Sequence, residues 1–163
     1  MPLLDREASL ILRDLLQTDW KTSNVDEEFN PVWISTGRYD NDTDYPEVTL
    51  SSFDEDTSPT GIDPGGKGLT SWIDGTGNIG VWVPYTDDYR SAGPAKSFRY
   101  QLAREVHRIM QNNAEGTTTD AGEPELTRIE TGTVQQFVEE NEDEPPIFRA
   151  IVPVGYGYHS RPE

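Results

Sequence analysis

Between its strand-like segments the chain has one stretch long and periodic enough to be a helix. From Pro94 to Asn113, the apolar residues Ala95, Phe98, Leu102, Val106, Ile109 and Met110 recur at helical spacing and form one stripe. Pro94 stands near the first helical position, where a missing N–H does no harm, and Asn112, Asn113 and Gly116 supply the stop. Parallel neighbours each need a long crossover, and one crossover cannot wind a parallel sheet. The spacing therefore predicts an antiparallel or mixed sheet. A second amphipathic helix is expected over residues 3–20, where Leu4, Ala8, Ile11, Leu12 and Leu15 share a side. That segment carries acids early, with no basic flank or small-residue cleavage site, so it reads as a helix of the mature protein and not as a signal peptide.

The strand signals fall around these helices. Val32–Thr36 is a short candidate after Pro31. In the stretch from Pro46 to Phe53, Val48 and Leu50 alternate with Thr49 and Ser51. Asp54–Gly68 is rich in Asp, Pro and Gly and reads as a long surface loop. Leu69–Ile73 reads as a brief strand, followed by a turn at Asp74-Gly75-Thr76-Gly77-Asn78. Ile79, Val81, Val83 and Tyr85 alternate with Gly80, Trp82 and Pro84, and Pro84 implies an edge or the end of pairing. A polar linker at 114–125 precedes strand-like runs at 126–130, 133–138 and 147–158. The last two flank an acidic, mobile hairpin tip at 139–146. Strand runs with two segregated helices predict one α+β domain over residues 1–163. Its sheet should be mostly antiparallel, with both helices on one face, long acidic loops and a C-terminal β-hairpin.

Little in the sequence carries catalytic chemistry. There is no cysteine, which excludes disulfides and thiolate sites. Gly61–Gly68 approaches a phosphate-binding loop, but Gly68 stands where a magnesium-holding Ser or Thr belongs, and no amphipathic helix follows. Asp40, Asp42 and Asp44 resemble the first ligands of a calcium loop. Tyr45 and Ser51 occupy the positions that need Gly and Glu, so the acids read as a solvated loop. The two histidines, His107 and His159, form no local metal pair and accompany no nucleophile motif. The expectation is a non-enzyme with no catalytic residues, no cofactor and no metal.

Charge narrows the setting. Thirty acids against 13 bases leave a net charge of −17, and only Lys21, Lys67 and Lys96 are lysines. Such a field repels nucleic-acid phosphates and strains a compact state through self-repulsion. At 1 M salt the Debye length falls to about 3 Å and that strain is screened. Acids in place of surface lysine therefore read as salt adaptation, with an ordinary acidic protein as the plainer alternative. Four tryptophans, seven tyrosines and five phenylalanines supply a core and argue against disorder. Against this background the helix at 94–113 carries Lys96, Arg99, Arg104 and Arg108 with one acid, Glu105. These bases either pair with the chain's own acids or present an interface to an acidic face of another copy.

The strand Gly80–Tyr85, the polar turn, the helix from Pro94 to Gln111 and the closing strand Arg149–Val154 together resemble the tail-terminator and tail-completion (head-tail joining) ring proteins of long-tailed viruses. The resemblance is one of element order and spacing over most of the chain. It implies a structural virion subunit of a halophilic archaeal virus, assembled in the host cytoplasm. There it would form a ring, a hexamer by analogy, at the tail/neck junction. Its partners would be other copies of itself, the tail tube and neck or adaptor proteins, with DNA passing unbound and no membrane involved. Lys96, Arg99, Arg104 and Arg108 would be interface residues, and the loops 54–78 and 139–146 arms toward neighbours. A tube subunit, a non-viral haloarchaeal adaptor module and a carboxylate-based hydrolase are the alternatives.

Overall fold

The computed structural model describes residues 7–25, 32–37, 46–62, 69–84, 92–141 and 144–160. The first helix, α1, runs Ala8–Asp19, and a 3₁₀ turn follows at Thr22–Asn24. Strand β1 is Trp33–Thr36, β2 is Glu47–Ile62 and β3 is Leu69–Pro84. Helix α2 is Ala92–Asn112, then come β4 at Arg128–Thr131, β5 at Gln135–Asn141 and β6 at Glu144–Ser160. The sheet order is β1-β2-β3-β6-β4, with β5 also on β6. All pairings are antiparallel except β1 with β2. This is the expected α+β arrangement, two helices on a mostly antiparallel sheet.

Alternation decides what the sheet buries. Ile79, Val81 and Val83 of β3 face the same side as Val48 and Leu50 of β2 and Phe148, Ala150 and Val152 of β6. All are buried beneath the helices. Phe98, Leu102, Val106, Ile109 and Met110 of α2 are each fully buried, as the stripe predicts. Each such side chain contributes roughly 1.5–3 kcal/mol by leaving water. Ile11, Leu12 and Leu16 of α1 join the same core. Beyond α2 the chain reverses at Gly116, whose φ of +101° suits glycine, and a Cβ there would lie 2.0 Å from the Leu126 carbonyl oxygen. Thr117 N–H then donates to the Leu126 carbonyl at 2.8 Å, and Glu125 N–H to Thr117 at 2.9 Å. The polar linker is thus a compact hydrogen-bonded excursion.

Three loop assignments are overturned. Residues 54–62 are strand, paired with β3 from Asp54↔Thr76 to Ile62↔Leu69. Irregularities at Ser51/Asp54 and Pro59/Gly61 accommodate the residues that look like loop formers. Asp74–Asn78 is not a turn: β3 passes straight through it between β2 and β6. Gly75 and Gly77 are there because aromatic rings lie across them. A Cβ on Gly75 would fall 2.1 Å from the Tyr156 ring, and one on Gly77 2.6 Å from Phe53. The third correction is the acidic tip at 139–146, which is strand on both sides, with Asn141 paired to Glu144. Pro84 closes β3, as an end of pairing, although β3 itself is an interior strand. The Asp40–Asp44 run, residues 63–68 and the first six residues lie outside the described residues.

The ring over Gly75 and its neighbour on β6, Tyr158, reach a carboxylate. Tyr156 and Tyr158 are each 1% exposed and stack at 6.3 Å with 4° between planes. Their hydroxyls donate to Glu55 on β2, at 2.9 Å from Tyr156 and 3.0 Å from Tyr158. Burial, then the hydrogen bond and charge of Glu55, push both phenols well above their ordinary range.

Two outcomes test this core. Gly75→Val should lower stability by about 1–3 kcal/mol through overpacking, while Thr76→Val on the exposed face should change it by less than about 0.5 kcal/mol. Urea unfolding in molar salt reads both, and a turn at this site would tolerate the first. The raised phenols also make stability depend on alkaline pH. Their contribution is complete below the unfolded phenol pKa of about 10 and is lost as pH rises from there toward the folded values. Ultraviolet titration should show two late tyrosinates, shifted to lower pH by Glu55→Gln.

Candidate assembly interface

The four bases singled out on α2 separate into two pairs. Arg99 is 9% exposed. Its Nη1 donates to the Phe137 carbonyl of β5 at 2.9 Å, and its guanidinium sits 5.8 Å from the Phe148 ring centre. Burial lowers its pKa from the ordinary arginine value. Arg108 pairs with Glu105, one turn away and 2% exposed, and donates from Nη2 to the Asp19 carbonyl at 2.8 Å. Glu105 also accepts from Asn24 Nδ2 at 2.8 Å. Positive charge at the end of α1 suits its dipole, and the cluster ties α2 to α1 and the 3₁₀ turn. Arg99 and Arg108 thus make their contacts within the chain, tying α2 to β5 and to α1.

Lys96 and Arg104 do the opposite. Both are exposed, and Tyr100 lies between them at four-residue spacing, so the three form one stripe on the solvent side. Tyr100 is 54% exposed, the one exposed large hydrophobic side chain among the described residues. The Arg104 guanidinium lies 5.8 Å from its ring centre, a contact worth about 0.5–1 kcal/mol when exposed. No carboxylate pairs with Lys96 or Arg104 among the described residues, because the nearby acid, Glu105, is buried against Arg108. Tyr100 was not among the residues singled out from the sequence. The helical period that joins Lys96 to Arg104 also places it.

The helix-free face of the sheet carries two further arginines that sequence reading missed. Arg149 lies 3.4 Å from the Trp82 ring centre and 5.0 Å from that of Phe137, and pairs with Glu139. Trp82 Nε1 donates to Thr49 Oγ1 at 2.8 Å. Arg128 sits 5.7 Å from Trp72 and bridges Asp74 and, at 2.6 Å, Glu130. Hydrogen bonds from Trp72 and Arg128 hold the Asp74 carboxyl below the usual range. His159 meets Trp72 edge-on at 4.8 Å. The signal for this face was parity, since residues 72 and 82 alternate against Ile79, Val81 and Val83. Each of these arginines pairs with a carboxylate of the same chain.

His107 is half-buried on α2 and His159 is exposed on β6. Among the described residues, no three His, Asp or Glu side chains converge to hold a metal. No described helix is long and apolar enough to cross a membrane. Compared with protein-family models and with curated proteins, the chain matches none.

The division of the bases is measurable. Arg108→Met should destabilise the fold by on the order of 3 kcal/mol, because Glu105 is left buried without its cation. Lys96→Met should leave stability within about 0.5 kcal/mol. Thermal unfolding of the two variants in the same salt compares them directly.

Proposed function

We propose that this protein is a structural subunit that acts by assembly, forming a ring at the tail/neck junction of a tailed haloarchaeal virus and joining tail tube to neck proteins. The observation that carries the reading is the Lys96–Tyr100–Arg104 stripe. In a chain of net charge −17, it is a cationic and aromatic patch with no carboxylate partner among the described residues. What fits it is an acidic surface, and every further copy of the chain brings thirty acids. Contact between unlike patches of identical subunits is head-to-tail, and such contacts close into rings when the rotation allows. The element order that resembles ring-forming tail proteins agrees with this geometry. The overall acidity agrees too, since a strongly negative lumen would let DNA pass without gripping its phosphates.

Light scattering after size exclusion in roughly 2–3 M salt, where the acidic field is screened, tests the proposal. A single higher species, with ring-shaped particles on negative-stain grids, is expected. Arg104→Glu should shift it toward monomer without moving the unfolding midpoint. A monomer at high protein concentration overturns the reading.

A further inference from the structure

We infer that the stripe on α2 docks on the helix-free face of the sheet in a second copy of this chain, its two cations reaching Asp54 and Glu130. The inference rests on the assembly reading above and names the surface that completes it. Strand register sets the receiving residues in one row. Asp54 of β2 pairs with Thr76 of β3, Thr76 with Gly155 of β6, and Gly155 with Glu130 of β4. Directly paired residues share a face, so two exposed carboxylates end the row with a threonine and a glycine between them. Three strand spacings of about 4.8 Å put the ends about 14 Å apart. On α2, eight residues at 1.5 Å each set Lys96 and Arg104 about 12 Å apart, with Tyr100 midway. The difference is within the reach of the two long side chains.

Between those carboxylates the sheet is concave. A cavity of 340 Å³ there is lined by Ser52, Thr76, Asn78, Pro153, Gly155 and Glu130, among others. Gly155 has no side chain and Pro153 presents a flat ring, which leaves room for an aromatic. On the other face Tyr156 and Phe53 use the same device to cross Gly75 and Gly77. Asn78 and Thr76 offer partners for the hydroxyl that a seated tyrosine brings with it. Asp54 pairs with no cation among the described residues. Asp56, two residues along on the same face, stands directly opposite Asp74, and Arg128 relieves that like-charge contact only on the Asp74 side. Both oxygens of Asp54 are thus open to the planar fork of Arg104. Glu130 gives Oε1 to Arg128 at 2.6 Å and keeps its other oxygen for Lys96.

Position excludes self-docking. The buried side of α2 packs on one face of the sheet, the stripe lies on its outer side, and the row lies on the sheet's other face. Stripe and row are therefore on opposite sides of a two-layer molecule, and no copy can fill its own row. One copy offers its stripe to the next and keeps its row for a third, the heterologous contact that ring closure requires.

Charge exchange and cavity filling test the contact by analytical ultracentrifugation in molar salt. Arg104→Glu and Asp54→Arg should each weaken self-association about tenfold or more, and the double variant should recover most of the loss. Thr76→Trp fills the cavity from an exposed position and should weaken association as strongly with both charges in place. Circular dichroism and the unfolding midpoint check that each variant is folded. If Arg104→Glu dissociates the assembly while Asp54→Arg and Thr76→Trp leave it intact, and the double variant stays dissociated, the sheet-face assignment is overturned and the assembly reading stands. If the unaltered chain is monomeric throughout, both fall.

Discussion

Strand β3 is the member on which the rest of the sheet depends, because β2 pairs along one side of it and β6 along the other. Its side chains alternate without interruption from Ser71 to Val83, so a slip of one residue would replace Ile79, Val81 and Val83 in the core with Asn78, Gly80 and Trp82. The same register sets Gly75 beneath Tyr156 and Gly77 beneath Phe53. Those rings cross the strand because it has no side chains there, and this lets the Tyr156 hydroxyl on β6 reach Glu55 on β2. One strand register thus fixes a helix-facing core, an aromatic–carboxylate cluster and, on the opposite side, the two tryptophans that carry Arg128 and Arg149.

An excess of acids leaves few cations, and where each one goes shapes the surface. Arg99 is enclosed against Phe148 and the edge of β5. Arg108 neutralises the one buried acid of α2; Arg128 lies by the Trp72 ring between Asp74 and Glu130, and Arg149 lies on the Trp82 ring and pairs with Glu139. Guanidinium suits these positions because its planar, weakly hydrated face stacks while its edge bonds. Lys96 and Arg104 are left outward on either side of Tyr100. The stripe therefore stands out by what the remainder of the fold has already consumed, and counting charges along the helix does not reveal that.

How much of this was legible follows from the range over which each signal acts. α2 and the second half of β3 are encoded locally, by a 3.6-residue stripe and a two-residue alternation, and both were read from the sequence. In the first half of β3 the start, Leu69–Ile73, reads as a short strand, but its continuation does not, because Asp74, Gly75, Gly77 and Asn78 have the composition of a turn. The residues that explain those glycines, Phe53 and Tyr156, lie on other strands, and only the folded sheet brings them there. β2 beyond Phe53 was hidden for a similar reason: its acids and Pro59 suit an exposed edge as well as a loop. On α2 the sequence offers Lys96, Arg99, Arg104 and Arg108 together as interface candidates, and of these Lys96 and Arg104 are exposed. Arg99 was grouped with them although it precedes Leu102 and Val106 by three and seven residues, the spacing of the buried side. The period that identified the helix also distinguished these positions, and charge alone did not.

The presence of an aromatic at the centre of the stripe bears on how such a surface would hold a partner in concentrated salt. With a Debye length of about 3 Å at 1 M, attraction between charges survives only at contact, and steering from a distance is lost. Exposed ion pairs contribute little even in dilute buffer, with a median of about 0–1 kcal/mol. A contact made of Lys96 and Arg104 alone would therefore be weak where the chain is proposed to work. Burying Tyr100 adds apolar area whose contribution does not depend on charge, and it withdraws the neighbouring guanidinium from solvent, where its pairing is less screened. Aromatic and arginine side chains together, with water excluded around them, are the usual composition of the residues that dominate interfaces. In the proposed assembly the ring would supply the strength and the two cations would select which face of the next copy receives it.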